Sequence, residues 1–395
     1  MIVLPKILFA VLVLYCAIIV QSVTFISPIL TQTPDFTCPE NDANRTAVCE
    51  CNVDFVFDQS KWRQTLSSQW GLVCNRLNLR TLPDSLFMGG QAIGSLFGWP
   101  LADIFGRKKM AIVSSLFIGI ILIVQTVATD IYIYSFLRAV LGFFARPAFG
   151  TLYCIFLERL SVTDRARFMP LVDMCSGFTS MYMGLTDYVF DHWKNLSYFW
   201  GAQVAFCGLL CFLIPESEEW LKSQEMKSMT KCSSVADIGA FFRSKSLISI
   251  ASRLAFVWSS VVLTFYGLNF NAENLAGEMY MNFVYFGIVD AGVNVILIFV
   301  SPLVRRKWMA TGLITVAGSF CLASGIAKSQ DVDDNVVNAL AYCGKFFISG
   351  AYSLVYLLTG ELFPTSVRSV SIKFNLNICF LLDQLVTRFV TSLRA

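Results

Sequence analysis

The sequence predicts an all-α, polytopic membrane protein of about eleven transmembrane helices. Three observations carry that expectation. Of 395 residues, 56% are hydrophobic and only 14% charged, with a mean hydropathy of +0.63. A soluble fold of this size cannot hide so much apolar surface. Apolar runs recur at the length of ~20 residues that a helix needs to cross a ~30 Å hydrocarbon core. The cations gather in alternate loops, as the positive-inside rule requires.

The spans fall at roughly 7–30, 84–102, 110–129, 131–156, 168–190, 196–214, 253–270, 279–303, 308–327, 337–359 and 370–390. The first is a true span and not a secretory leader. Lys6 is its sole cation, and the apolar stretch runs on to Leu30, too long for a leader. With the N-terminus inside, about 17 Lys and Arg lie in inner loops against about 7 outside. The loop at 31–83 is then external and holds Cys38, Cys49, Cys51 and Cys74, in a setting where disulfides persist. Four cysteines allow three connectivities. A metal at Cys49 and Cys51 is the poorer reading, since no His accompanies them. The sequons at Asn44 and Asn195 fall on loops already assigned to the outside. The domains read as 1–214, a six-helix half that includes loop 31–83; 215–252, a cytoplasmic connector; and 253–395, a five-helix half. Gly90, Gly94 and Gly98 set small residues at four-residue spacing on one face of span 2.

The hairpin Asp103-Ile104-Phe105-Gly106-Arg107-Lys108-Lys109 joins spans 2 and 3 as acid, tight turn and basic cluster. It resembles the signature loop between helices 2 and 3 of the major facilitator superfamily. Further stretches run in order along the chain: Gln69–Cys74, Tyr153 to Glu158 with Arg165, Pro215–Leu221, Tyr266-Gly267-Leu268, and Glu361–Arg368. Together they resemble the organic cation, organic anion and carnitine transporter family of that superfamily. The resemblance implies a major facilitator fold of twelve spans. This chain has eleven and reads as C-terminally truncated. It also departs at Gly98, where Trp99-Pro100 intervene before Asp103. In the second copy of the loop only Arg305-Arg306-Lys307 remain, and Glu218-Glu219 stand where the family has Pro-Arg.

Ionisable groups inside a membrane are costly by several kcal/mol and are functional candidates by default. These are Arg138, Arg146, Asp290, Lys345 and Asp383, with Arg388 near an end. The resemblance implies that Arg146, Asp290 and Lys345 stand at charged positions of the central cavity, on spans 4, 8 and 10. Phe149, Trp258 and Phe265 fall on its aromatic wall, which suits an ammonium ligand. An Asp290 pairing with Lys345 or Arg146 as a structural ion pair is compatible with either role. Asp383 lies one turn beyond Phe380, the position where the family separates charge preference. For gating, the resemblance implies a charge latch of Asp103, Arg107, Glu158 and Arg165 around Gly106, matched by Glu361 and Arg368 in the second half.

The sequence thus reads as a plasma-membrane transporter of small organic ions, cation or zwitterion favoured, working by alternating access. The alternative is a non-transporting truncated relative that acts as a binding or regulatory membrane protein. The expected partners are the substrate and the bilayer, not nucleic acid. No cofactor, metal or enzymatic activity is expected. Glycosidase treatment should shift the mobility of the expressed protein, and Asn44→Gln with Asn195→Gln should abolish that shift. Glycan on a tag placed within 222–245 would overturn the orientation.

Overall fold

The structure, a computed structural model, describes residues 6–34, 36–37, 56–57, 64–159, 162–229, 245–301, 303–330 and 332–362. Ten long helices run through them: α1 Lys6–Ser22, α2 Leu82–Phe105, α3 Arg107–Val124, α4 Ile131–Glu158, α5 Val162–Val189, α6 Trp193–Leu210, α7 Lys245–Phe270, α8 Met279–Val300, α9 Arg306–Ser329 and α10 Asp334–Leu362. Among the described residues, seven helices are long and apolar enough to cross a membrane by length and composition. The span expected at 370–390 lies outside the described residues, so a total of eleven is not established.

Two departures from the expected spans have local causes. The first span breaks: α1 stops at Ser22, and a turn leads to a short helix at Ile26–Leu30. The Ser22 hydroxyl donates back to the Ile19 carbonyl at 2.7 Å, a local bond that competes with helix continuation. Helices α2, α5 and α10 run beyond their apolar runs at both or one end, because helical hydrogen bonding persists where hydropathy stops. The connector contributes a further helix, Glu218–Met229. In the loop at 31–83, Phe36–Thr37 and Val56–Phe57 pair as two short antiparallel strands. Cys74 is disulfide-bonded; Cys38, Cys49, Cys51 and Asn44 lie outside the described residues. Asn195 is exposed in the first turn of α6, beside a buried Ser197.

Glycines position the helices. On α2, a Cβ at Gly90 would lie 2.0 Å from the Ala139 carbonyl oxygen, and one at Gly94 would lie 2.2 Å from that of Phe143. Pro147 interrupts α4 and has no N–H for the carbonyl four residues back, which is Phe143. Gly94 therefore packs onto a carbonyl that has no amide donor four residues on. Gly142 answers from α4 by packing on the Phe87 carbonyl, and Gly98 packs on the Pro147 ring.

The second glycine crossing joins the two halves. Gly177 on α5 meets the Gly287 carbonyl of α8, Gly287 meets that of Gly177, and Gly184 meets that of Tyr280. The two helices run antiparallel in contact over most of their length. At the end away from Asp103 the halves are also tied by an Arg80–Glu273 ion pair. The Thr33 amide donates to Glu273 at 3.1 Å, and Arg80 Nε donates to the Thr31 carbonyl at 2.8 Å. Nearby, Phe25 stacks on Tyr266 of α7 with centroids 5.8 Å apart.

A valine at Gly94 should cost about 1–3 kcal/mol, the usual cost of overpacking. A lower unfolding midpoint in detergent is the expected readout. Gly292→Ala, where a Cβ meets nothing within 4 Å, should leave the midpoint unchanged.

Candidate functional site

Two polar clusters stand out, one at the basic end of the first half and one at mid-depth between the halves. At the basic end, α2 and α3 meet at Gly106, whose φ of +107° and ψ of 141° suit only glycine. A Cβ there would also lie 2.7 Å from Glu216 Oε2. Glu216 accepts from the Lys108 amide at 2.8 Å, an anion placed at the N-terminus of α3 as the helix dipole favours. Arg107 forms an ion pair with Glu158 at the end of α4 and donates to Ser217 Oγ at 3.2 Å. Ser217 in turn donates to Glu158. Asp103 lies 4.0 Å from Arg107, and its backbone carbonyl accepts from Trp220 Nε1 at 2.9 Å. Helices α2, α3 and α4 are thereby tied to the start of the connector. The Arg165 and Glu361 side chains and Arg368 lie outside what is described.

At mid-depth, Asp290 on α8 and Lys345 on α10 each stand eleven residues into their helices, ~17 Å at 1.5 Å per residue. Lys345 is wholly buried. Its ammonium is 3.4 Å from Asp290 Oδ2 and donates to Asn269 Oδ1 at 3.3 Å. It also lies 3.6 Å from the centroid of the Phe265 ring and 5.5 Å from that of Phe286. Ser349 donates to Asp290. One turn further, Ser353 donates to Asn294 Oδ1 at 2.9 Å. Carboxylate, amide and ring faces thus replace the water that this ammonium gives up.

An aromatic wall continues from there. Phe265 stacks on Tyr352 at 4.9 Å, and Tyr352 packs against Tyr356 at 5.4 Å. Phe149 stacks on Tyr153 of α4 at 5.8 Å. Trp258 sits behind the two α10 tyrosines, edge-on at 5.7 and 4.6 Å, and donates to Thr359 at 2.9 Å. It is buried, whereas Phe149, Phe265, Tyr352 and Tyr356 keep partial exposure. Arg146 is buried on α4, close enough to Tyr352 to act on it electrostatically.

Of the expected central residues, Phe265, Asp290 and Lys345 meet directly, and Trp258 joins them through Tyr352. Arg146 and Phe149 approach from α4. Asp383 lies outside the described residues. Arg138 belongs elsewhere: it is 3.9 Å from Asp84 and stacks over Phe87 at 4.7 Å, toward the end away from Asp103. Sequence reasoning missed Asp173, an acid inside the span at 168–190 that the rule for intramembrane charge covers equally well. It also missed Tyr352 and Tyr356. Lys345, Ser349, Tyr352 and Tyr356 recur at helical spacing, a polar stripe legible along span 10.

Gly106→Ala should destabilise the protein by about 1–3 kcal/mol through its backbone conformation. The expected readout is a lower thermal midpoint in detergent that Glu216→Ala does not restore, since relieving the side-chain contact leaves φ unchanged.

Residues 80–381 match the model of the Major Facilitator Superfamily. The chain is 27% identical over 376 residues to the organic cation transporter protein of Drosophila melanogaster, covering 84% of this chain and 66% of that protein. It is 26% identical over 355 residues to solute carrier family 22 member 4 of Mus musculus, covering 82% of this chain and 64% of that one. The chain thus spans a little under two thirds of these curated relatives. Among solved structures, the human organic anion transporter MFSD10 aligns over 99% of this chain and 94% of its own, with a TM-score of 0.69 at 12% identity. The inward-open xylose transporter XylE of E. coli aligns over 97% and 88%, with a TM-score of 0.66 at 13% identity. The family match covers most of the chain, the helix packing has the same fold, and the multi-pass membrane chain belongs to the Major Facilitator Superfamily.

Proposed function

We propose that this protein carries small organic cations or zwitterionic amines by alternating access, through a site between its two halves. The observation that carries the reading is the mid-depth cluster on α7, α8 and α10. It combines a buried Asp290–Lys345 pair with partly exposed aromatic faces, next to the α5–α8 crossing. Aromatic faces attract ammonium groups, and paired charges allow a zwitterion to engage both signs. Phe149 and Phe265 wall the site, Trp258 backs it, and Arg146 adds a cation from the first half. Asp383 is assigned to the same site as the acid of span 11. The name of the fly relative agrees with the cation part of this reading. Rocking of the halves about α5 and α8 would open the site to each side in turn. The protein is placed in the plasma membrane with its N-terminus and the Asp103 end in the cytoplasm.

In this reading the Arg107–Glu158–Ser217 cluster serves the conformational cycle. Glu361 and Arg368 are its counterparts in the second half, and Arg165 joins it from α5. Cells expressing the chain should accumulate tetraethylammonium or glycine betaine above mock-transfected controls, and benzoate should stay at background. Uptake of benzoate alone would overturn the substrate class. Arg107→Ala should lower the maximal rate severalfold and leave the apparent KM within about twofold, since Arg107 touches the cycle and not the substrate. A raised KM at an unchanged rate would remove Arg107 from the gate.

A further inference from the structure

We propose that Asp173 on α5 is the acid that meets the substrate's ammonium group, while Asp290 is held by Lys345 as the scaffold of the site; this rests on the cation and zwitterion reading above. Asp173 stands eleven residues into α5, ~17 Å along the helix and one turn before Gly177. The glycine crossing with α8 therefore carries it into the second half's polar cluster. It faces the Ser353 hydroxyl of α10 and lies within electrostatic range of Asp290. Tyr153 of α4 and Tyr352 of α10 are close enough to sense its charge.

Three features separate it from Asp290. Asp173 keeps partial exposure among residues of α4, α8 and α10, which belong to both halves. Asp290 is buried and already engaged by Lys345 and Ser349. Asp173 has no cation within salt-bridge distance among the described residues. A carboxylate at this depth without a countercharge is costly. An ammonium ion between Asp173 and the rings of Tyr153 and Tyr352 supplies the partner and gains the ring faces. Those groups belong to both halves, so a bound cation also draws the halves together, as occlusion requires.

The test uses the full chain in cells, with surface protein quantified. Asp173→Asn keeps the shape and removes the charge. It should raise the apparent KM for tetraethylammonium roughly tenfold, the scale of one lost charge-assisted contact, with the maximal rate per surface molecule within about twofold. A merely structural role would instead lower the rate for every substrate. Wild-type KM in Asp173→Asn would overturn the assignment. If that variant fails to reach the surface, Asp173→Glu decides. One added methylene shifts the carboxylate, so the KM ratio of tetramethylammonium to tetraethylammonium should change at least about threefold; an unchanged ratio overturns the proposal. Wild-type cation uptake with an indifferent Asp173→Asn defeats the Asp173 assignment alone. Wild-type uptake of benzoate without cation or zwitterion defeats both that assignment and the substrate class.

Discussion

The reciprocal contact of Gly177 and Gly287 is the constraint on which the rest of this structure depends. In lipid, helices gain nothing from hiding apolar surface from one another, so close backbone approach must supply the attraction. Here it does so where the two halves meet. Side chains at either position would push α5 and α8 apart and carry Asp173 away from Ser353 and Asp290. The same logic holds within the first half. There Gly90, Gly94 and Gly142 lock α2 to α4, and the carbonyl freed by Pro147 finds a neighbour.

Charge is distributed around that crossing in a way the membrane dictates. Both ends of the first half carry ion pairs that link separate elements: Arg107 with Glu158 at the basic end and Arg80 with Glu273 at the other. The second pair joins the halves; the first ties α3 to α4 within one half, and Ser217 bridges it to the connector. Between the ends, the buried cations Lys345 and Arg138 each meet an acid and an aromatic ring on another helix. Lys345 has a carboxylate, an amide and two rings, and Arg138 has Asp84 and Phe87. In the proposed site, Asp173 is the acid whose countercharge is the substrate.

Much of this was legible in the sequence because the bilayer makes composition speak directly. A run of twenty apolar residues has one stable fate in lipid, and among the described residues each expected span holds a helix, though α1 stops eight residues short and α7 begins eight residues early. The hairpin at Gly106 was legible too, since an acid, a glycine and three cations between two apolar runs admit few other arrangements. The break after Ser22 was not. Hydropathy measures whether a segment enters the membrane and is blind to a hydroxyl that bonds backward to its own helix.

Spacing within a helix reports which residues share a face, so the stripe of Lys345, Ser349, Tyr352 and Tyr356 belonged to the sequence. Which face meets which neighbour did not. That Asp290 pairs with Lys345, that Arg138 joins Asp84 far from the centre, and that Asp173 comes to stand across from Ser353 were decided by helix crossings. Those crossings depend on small residues far apart in the chain meeting backbone to backbone. The sequence by itself determined the membrane class, the helices and the charged residues they had to shelter; only the tertiary structure decided the pairings, because the partners lie on different helices and nothing in one helix encodes its distance to another.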